Sequence, residues 1–302
     1  MRRIAIVGLG AMGKNHYRTL KNISNVQIVG LCDVVKNGEF DEPFFTDLDE
    51  MIVQTQPEAI IIVTPTFLHK NIALICAKHD IHMFIEKPAA SHIQDAREML
   101  DAINKKGLKS CVGHIERFNP VVKTLIDQIG NDEILFVSID RSGPFPSRIA
   151  DVGILIDLSV HDSDLIRFIT KKEIVNVSVH KSQKIHKTHE DNAIIGFTLE
   201  GNVLADIMTN WLTPFRKREI HVTCRSSVDS HIRYLEANLL NQTLKEYVST
   251  SPNSFSTTDH FVKRSDALYD ELSAFIEYLN SGKRGTLATI EDSIVTLEIA
   301  SK

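Results

Sequence analysis

The run Arg3-Ile-Ala-Ile-Val-Gly-Leu-Gly-Ala-Met-Gly13 limits what this chain can fold into more than any other stretch. Ile4 to Val7 predict a buried strand. It runs into Gly8-x-Gly10-x-x-Gly13, and a helix from about Met12 to Leu20 follows. At that spacing Gly8 permits a tight turn, Gly10 lets a pyrophosphate reach the backbone, and Gly13 lets the helix pack close to the strand. The helix start also offers unpaired N–H groups and the positive end of its dipole to phosphates. A second apolar strand, Val26 to Cys32, ends at Asp33, twenty residues past Gly13. A carboxylate there accepts hydrogen bonds from an adenosine ribose. Val34 and Val35 follow it, with no arginine to neutralise a 2′-phosphate, so NAD is expected over NADP.

Beyond Asp33 the connection is short and charged, with room for a strand at Phe44-Phe45 and a helix from Asp47 to Val53 capped by Thr46 or Asp47. Pro57 to Thr64 reads as a central parallel strand. A helix His69–His79, a strand Met83–Ile85 ending in Glu86-Lys87-Pro88, a helix Ile93–Lys106 and a strand Lys109–Gly113 continue the alternation. This predicts a doubly wound parallel sheet over residues 1–115. After His114 the pattern changes. A helix Asn119–Ile129, a strand Glu133–Arg141 and a helix Gly153–Ile169 precede five strands almost without helices: Ile174–Lys181, Ala193–Leu199, Val203–Trp211, Arg218–Cys224 and Ser230–Leu235. Residues 116–302 therefore read as an α+β domain with a largely antiparallel open sheet. Ser249–Thr258 reads as a loop, and helices Asp266–Asn280 and Ile290–Ala300 close the chain.

A length of 302 residues suits two domains, and a net charge of −5 gives no reason to expect nucleic acid or an anionic membrane as partner. No apolar run approaches a membrane span. Cys32, Cys76, Cys111 and Cys224 form no paired motif and read as packing residues in a reducing compartment, so a cytoplasmic location is expected.

In an open parallel sheet ligands bind outside the carboxyl ends of the strands. Gly8, Asp33, Thr64, Glu86 and Gly113 lie at those ends, and Lys87 follows directly. Lys87 is then either a solvated turn lysine or a group beside a nicotinamide. A second cluster lies on the helix from Gly153. Asp157 and His161 are four residues apart and share a face, and with Asp164 they form a stripe bordering an apolar arc. That stripe either lines a cleft or is an acidic first turn beside a core histidine. Asp157, His161 and Asp162 lack a further histidine at ligand spacing, so no metal is expected. His180, His186 and His189 read as a solvated face.

These residues together resemble the glucose–fructose oxidoreductase / inositol dehydrogenase family, Gfo/Idh/MocA. The likeness rests on the glycine fingerprint, on Thr64-Pro65 leading to His69, on Glu86-Lys87-Pro88 and on Asp157-x-x-x-His161. It implies a Rossmann domain followed by an α+β domain whose open sheet pairs subunits into a homodimer or homotetramer. It also implies oxidation of a sugar or cyclitol hydroxyl with NAD, by a catalytic triad of Lys87, Asp157 and His161. Carried over residue by residue, the cofactor set is Gly8, Gly10, Ala11, Met12, Gly13, Asp33, Thr64, Pro65, His69, Glu86 and Lys87. The segment after Asp33 departs from the family by being short, which affects the adenine side alone. Within the family, residues 113–120 and 141–148 look most like the UDP-N-acetylglucosamine 3-dehydrogenase branch, which implies a nucleotide-sugar substrate. Arg117, Asn119, Arg148, Asp157 and His161 would bind it, with Arg148 first and Arg117 second as partners of a diphosphate.

Alcohol oxidation removes a hydroxyl proton as hydride leaves the same carbon. An imidazole suits the base near neutral pH, which gives His161 that role, Asp157 an orienting one and Lys87 the developing alkoxide charge. Lys87 as proton acceptor is the open alternative. An inositol or free-sugar dehydrogenase, an NAD-retaining lyase or hydrolase cycle, and a non-catalytic NAD sensor are the competing readings.

Overall fold

The computed structural model describes residues 1–146, 152–251 and 253–302. Its contacts divide it into two units, Met1–Ile115 with Asp266–Leu297, and Glu116–Ser265 with Glu298–Lys302.

Short apolar runs punctuated by turns build the first unit. In chain order these are β1 (Arg2–Val7), α1 (Ala11–Leu20), β2 (Val26–Cys32), β3 (Phe44–Phe45), α2 (Leu48–Thr55), β4 (Ala59–Ile62), α3 (His69–Lys78), β5 (His82–Glu86), α4 (Ile93–Lys105) and β6 (Ser110–Gly113). The six strands pair in parallel in the order β3-β2-β1-β4-β5-β6. Ile60, Ile61 and Ile62 are fully buried, as a strand covered on both faces requires, and each such side chain contributes roughly 1.5–3 kcal/mol. The strand order reverses between β1 and β4, so their carboxyl ends form the switch point where ligands of such sheets bind. The short segment after Asp33 folds back on α1. The Tyr17 hydroxyl donates to Glu42 at 2.6 Å, the Tyr17 ring meets Phe40, and Lys21 donates to Asp41 at 2.7 Å. Of the two candidate caps for α2 it is Asp47 that accepts the Glu50 N–H, at 2.8 Å.

The second unit contains α5 (Pro120–Ile129), β7 (Glu133–Pro144), α6 (Val160–Thr170), β8 (Ile174–Ser182), β9 (Asn192–Leu199), β10 (Val203–Asn210), β11 (Leu212–Arg225), β12 (Ile232–Asn238), β13 (Thr243–Ser251) and β14 (Ser254–His260). Its sheet runs β14-β13-β12-β11-β7-β10-β9-β8. Among the described residues of this sheet only β7 and β10 pair in parallel. Residues 249–251 and 254–258, expected as a loop, instead belong to the paired strands β13 and β14, with Tyr247 opposite Thr257 and Val248 opposite Ser256. Their serines and threonines misled because almost all of β14 is exposed, so no apolar alternation marks it.

Helices α7 (Ala267–Ser281) and α8 (Ile290–Ala300) end the chain. Residues 266–297 cluster with the first unit rather than with the second, which corrects a domain boundary running unbroken from 116 to 302. The cause is specific packing. Phe275 of α7 meets Phe84 of β5 edge-on at 5.7 Å, Lys109 Nζ donates to the Leu279 carbonyl at 2.7 Å, and Val112 N–H donates to Ala288 at 3.0 Å. Helical periodicity reveals an apolar face but not which sheet covers it. All four cysteines are buried and unbridged. Among the described residues no helix is long and apolar enough to cross a membrane.

Both rings of the Phe84–Phe275 contact are fully buried. Phe275→Ala is therefore expected to cost about 3–5 kcal/mol in urea unfolding monitored on the first unit. A loss below about 1 kcal/mol would show that α7 does not belong to that core.

Candidate functional site

The glycine turn sits at the switch point. Gly8 has φ +96°, and a Cβ there would lie 2.6 Å from the Val63 backbone at the end of β4. A Cβ on Gly13 would lie 2.0 Å from the Gly8 carbonyl oxygen, whereas one on Gly10 would meet nothing within 4 Å. The first and third glycines are thus demanded by the protein's own packing. The second faces open space, the cradle a pyrophosphate needs. Helix α1 has no side-chain cap and no acidic residue in its first turn, so the N–H groups of Ala11, Met12 and Gly13 and the positive dipole end suit an anion.

At the end of β2 the Asp33 carboxylate accepts the Leu9 N–H at 2.5 Å and the Val34 N–H at 2.7 Å. These bonds fix its orientation and leave acceptor capacity for ribose hydroxyls. The Thr64 hydroxyl oxygen, at the end of β4, is buried without a protein partner, as expected of a group that serves a ligand. A dinucleotide fits this donor and acceptor set.

His69 does not fit as a cofactor contact. It is 1% exposed, with Nδ1 3.1 Å from the Pro88 carbonyl and Nε2 2.9 Å from the Thr64 carbonyl. It sits between two strand-end loops, where the neutral ring donates to one of these carbonyls and a protonated ring to both; burial lowers its pKa against the pull of those carbonyls, which raises it. Glu86 is likewise an internal brace. One oxygen lies 2.7 Å from His16 Nε2 and the other accepts the Lys87 N–H at 3.1 Å. Lys87 itself is partly exposed at the end of β5. His16 went unrecognised in the sequence, although it shares the buried face of α1 with Gly13, Tyr17 and Leu20.

In the second unit the helix expected over 153–169 is not uniform. A π-helical turn, Leu155–Ser159, carries Asp157, and α6 then carries His161. Such wide turns recur at functional sites. The projected stripe breaks at Asp164, which turns inward to Arg117. Asp157 and His161 stay partly exposed, while Asp162 and Asp164 are buried. The helix start is held by Glu190, whose carbonyl accepts the Ile154 N–H at 3.0 Å and whose carboxylate accepts that of Leu155 at 3.3 Å. A Cβ at position 153 would lie 2.0 Å from the Glu190 carboxylate, so a larger residue there would displace that brace. The Glu190 loop is organised by fully buried Asp191, which accepts the N–H groups of Lys184, Ile185 and His186. Burial raises its pKa, but these bonds outweigh that and hold it low. His186 is buried against Phe145 and Trp211, which corrects its reading as part of a solvated face.

Arg117 and Asn119 are not presented to a substrate either. Arg117 Nε donates to Asp164 at 2.7 Å, both groups buried, and Asn119 caps α5 and donates to the Leu239 carbonyl at 3.2 Å. Beside them Arg141 joins Asp162, at 2.7 Å, to Glu116, at 3.0 Å. Burial pushes Asp162 up to about 6 against the pull of Arg141. Arg148 lies outside the described residues.

A family model described as the oxidoreductase family with an NAD-binding Rossmann fold matches residues 2–114. The model of the Gfo/Idh/MocA C-terminal domain matches residues 122–227. A UDP-N-acetylglucosamine 3-dehydrogenase of Acidithiobacillus ferrooxidans is 26% identical over 288 residues, spanning 91% of this chain and 87% of its own. Its solved structure gives a TM-score of 0.87 at 23% identity, covering 99% of this chain and 95% of that one. The scyllo-inositol 2-dehydrogenase (NAD(+)) of Bacillus subtilis is 26% identical, over 98% of this chain and 91% of its own. An oxidoreductase from Agrobacterium radiobacter, solved with NAD+, L-tartaric acid and magnesium, shares the fold at a TM-score of 0.83 and 16% identity, covering 99% and 94% of the two chains.

The three glycines separate in a way that titration and unfolding can check. Gly10→Val should leave thermal stability nearly unchanged, because its Cβ enters open space, yet weaken NAD at least about tenfold. Gly13→Val should lower stability by several kcal/mol through overpacking. Unaltered NAD affinity in Gly10→Val would remove the pyrophosphate from this turn.

Proposed function

The chain belongs to the Gfo/Idh/MocA oxidoreductase family, and on that premise we propose that it is an NAD-dependent dehydrogenase of a sugar's secondary hydroxyl. The first choice of substrate is a nucleotide sugar such as UDP-N-acetylglucosamine, oxidised at C3. The observation that carries the cofactor half is the open Gly10 cradle beside a backbone-tethered Asp33. The substrate half is supported by chain-long similarity to the Acidithiobacillus enzyme. An inositol dehydrogenase is the second reading, favoured by similarity to the Bacillus enzyme over 98% of this chain.

Bound along the turn from Gly8 to Gly13, with its ribose on Asp33, NAD would supply the hydride acceptor. The Lys87 ammonium stabilises the negative charge that develops on the substrate oxygen. The His161 imidazole accepts the hydroxyl proton, and the Asp157 carboxylate orients that hydroxyl. Arg148 is the candidate partner of a substrate diphosphate. Arg117, the second candidate, is paired with Asp164.

Incubation of the protein and NAD with a panel of nucleotide sugars and cyclitols, read as NADH absorbance, tests the whole reading. Lys87→Ala and His161→Ala should each lower turnover at least about a hundredfold and leave NAD affinity within about threefold. Better turnover of free inositol than of any UDP-sugar would overturn the substrate choice. An absence of NADH with every compound would leave the sensor or NAD-retaining readings.

The same proposal includes a homodimer formed through the open sheet of the second unit. Phe136 lies beside Leu204 and Met208 opposite Ile194, and these four side chains are 36–53% exposed. Adjacent apolar side chains left to solvent on one sheet face favour burial against a second copy. Leu204→Asp combined with Met208→Asp should give monomers in light scattering. A wild-type protein that is already monomeric at micromolar concentration would sink the idea.

A further inference from the structure

Two buried histidines from different helices hold the backbone on either side of Lys87. His16 of α1 is fully buried, with its Nε2 2.7 Å from one Glu86 oxygen, and the other oxygen accepts the Lys87 N–H at 3.1 Å. His69 of α3, also buried, lies 3.1 Å from the Pro88 carbonyl and 2.9 Å from that of Thr64. Each chain neighbour of Lys87 is therefore tied to an imidazole. His16 occupies otherwise apolar packing. Its ring meets Phe84 edge-on at 5.4 Å, and its Nδ1 is buried without a protein partner. A half-satisfied polar ring in a core costs free energy that leucine or phenylalanine would not. What the ring supplies in return is the bond to Glu86.

We propose that His16 and His69 are positioning residues: His16 through Glu86, and His69 through Pro88, set the backbone from which Lys87 projects. Helix α1 then does two jobs, since its N-terminus faces the phosphate cradle and its second turn anchors the lysine. The proposal rests on the reading of Lys87 as a catalytic group.

The Glu86 carboxylate gives the device a pH signature. Burial by itself would raise its pKa, but the bond and charge of His16 and those of Lys87 outweigh burial and hold it below the usual range. The titratable groups facing it are His16 from α1, His69 from α3, Lys87 from its own turn and Cys111 from β6. A carboxylate with a lowered pKa makes its contribution above the unfolded value and loses it as pH falls through the folded one. Without His16 that folded value rises, so the loss begins at a higher pH.

The test compares the full-length protein with His16→Phe, His16→Gln, His69→Phe and Lys87→Ala, using NAD and UDP-N-acetylglucosamine. In His16→Phe, kcat should fall about a hundredfold, as for a misplaced catalytic group. KM and the NAD Kd should stay within about threefold, and the acid limb of the pH profile should move to higher pH. Glutamine, which can present an amide N–H near the lost Nε2, should recover at least about tenfold of that rate and the wild-type acid limb. Independently of any substrate, amide hydrogen exchange of residues 84–90 in the NAD complex should quicken in His16→Phe and His69→Phe but not in Lys87→Ala. Unchanged exchange in both histidine variants overturns the proposal. So does a rate loss shared equally by His16→Gln with no movement of the acid limb, the mark of a purely structural residue. Full turnover in Lys87→Ala would sink the catalytic reading of the lysine, and faster exchange in the histidine variants would still uphold the positioning. Should wild type not turn over this substrate, the exchange result alone decides.

Discussion

The approach of α1 to the end of β1 is the contact on which the first unit's chemistry depends. With Gly13 in place the helix lies against the Gly8 carbonyl, and with Gly8 in place that turn lies against the Val63 backbone. Any side chain at either position would push the helix off the sheet. The same approach aims the N-terminus of α1 along the switch point and brings the Leu9 N–H to Asp33. It also sets His16 within reach of Glu86, two strands away from β1 in the sheet. One steric requirement therefore organises the glycine turn, the Asp33 carboxylate and the base of the lysine turn together.

The second unit solves a different problem, which is how to hold a helix that carries two partly exposed polar groups. It does so with charges that are buried and paired. Arg117 takes Asp164, and Arg141 takes both Asp162 and Glu116. Removing one member of such a buried pair costs roughly 3–5 kcal/mol, because the other charge is stranded. These pairs therefore fix α6 in one position more than they raise net stability. Glu116 shows the balance, since burial raises its carboxyl but Arg141 and Arg218 hold it below the usual range.

The doubly wound sheet was legible because buried parallel strands leave continuous apolar runs and glycines mark the turns between them. The placement of Asp33 and Lys87 at strand ends was legible for a related reason, since those positions follow directly from the strand runs. What stayed hidden needed knowledge of tertiary partners. Nothing in Arg117 or Asn119 distinguishes a ligand for a diphosphate from a partner of Asp164 or a cap of α5. The β13–β14 strand pair lacks a buried face to imprint alternation. The destination of α7 depends on Phe84, nearly two hundred residues earlier in the chain. The π-helical turn at 155–159 shifts the faces of its helix, and spacing based on 100° per residue cannot anticipate it.

Burial sorts the polar candidates into internally bonded supports and partly exposed groups. Glu86, His69, Arg117 and Asn119 have polar atoms bonded within their own unit, and all but Glu86 are deeply buried. Such groups respond to a ligand only by moving what they hold. Lys87, Asp157 and His161 keep partial exposure, although each stands next to a rigid support: Glu86 for the lysine, the Glu190 brace for Asp157, and Asp162 for His161. A group that must exchange a proton or meet a changing charge needs access, and it needs a fixed origin to act from. Placing each partly exposed candidate next to a bonded support meets both demands within each unit.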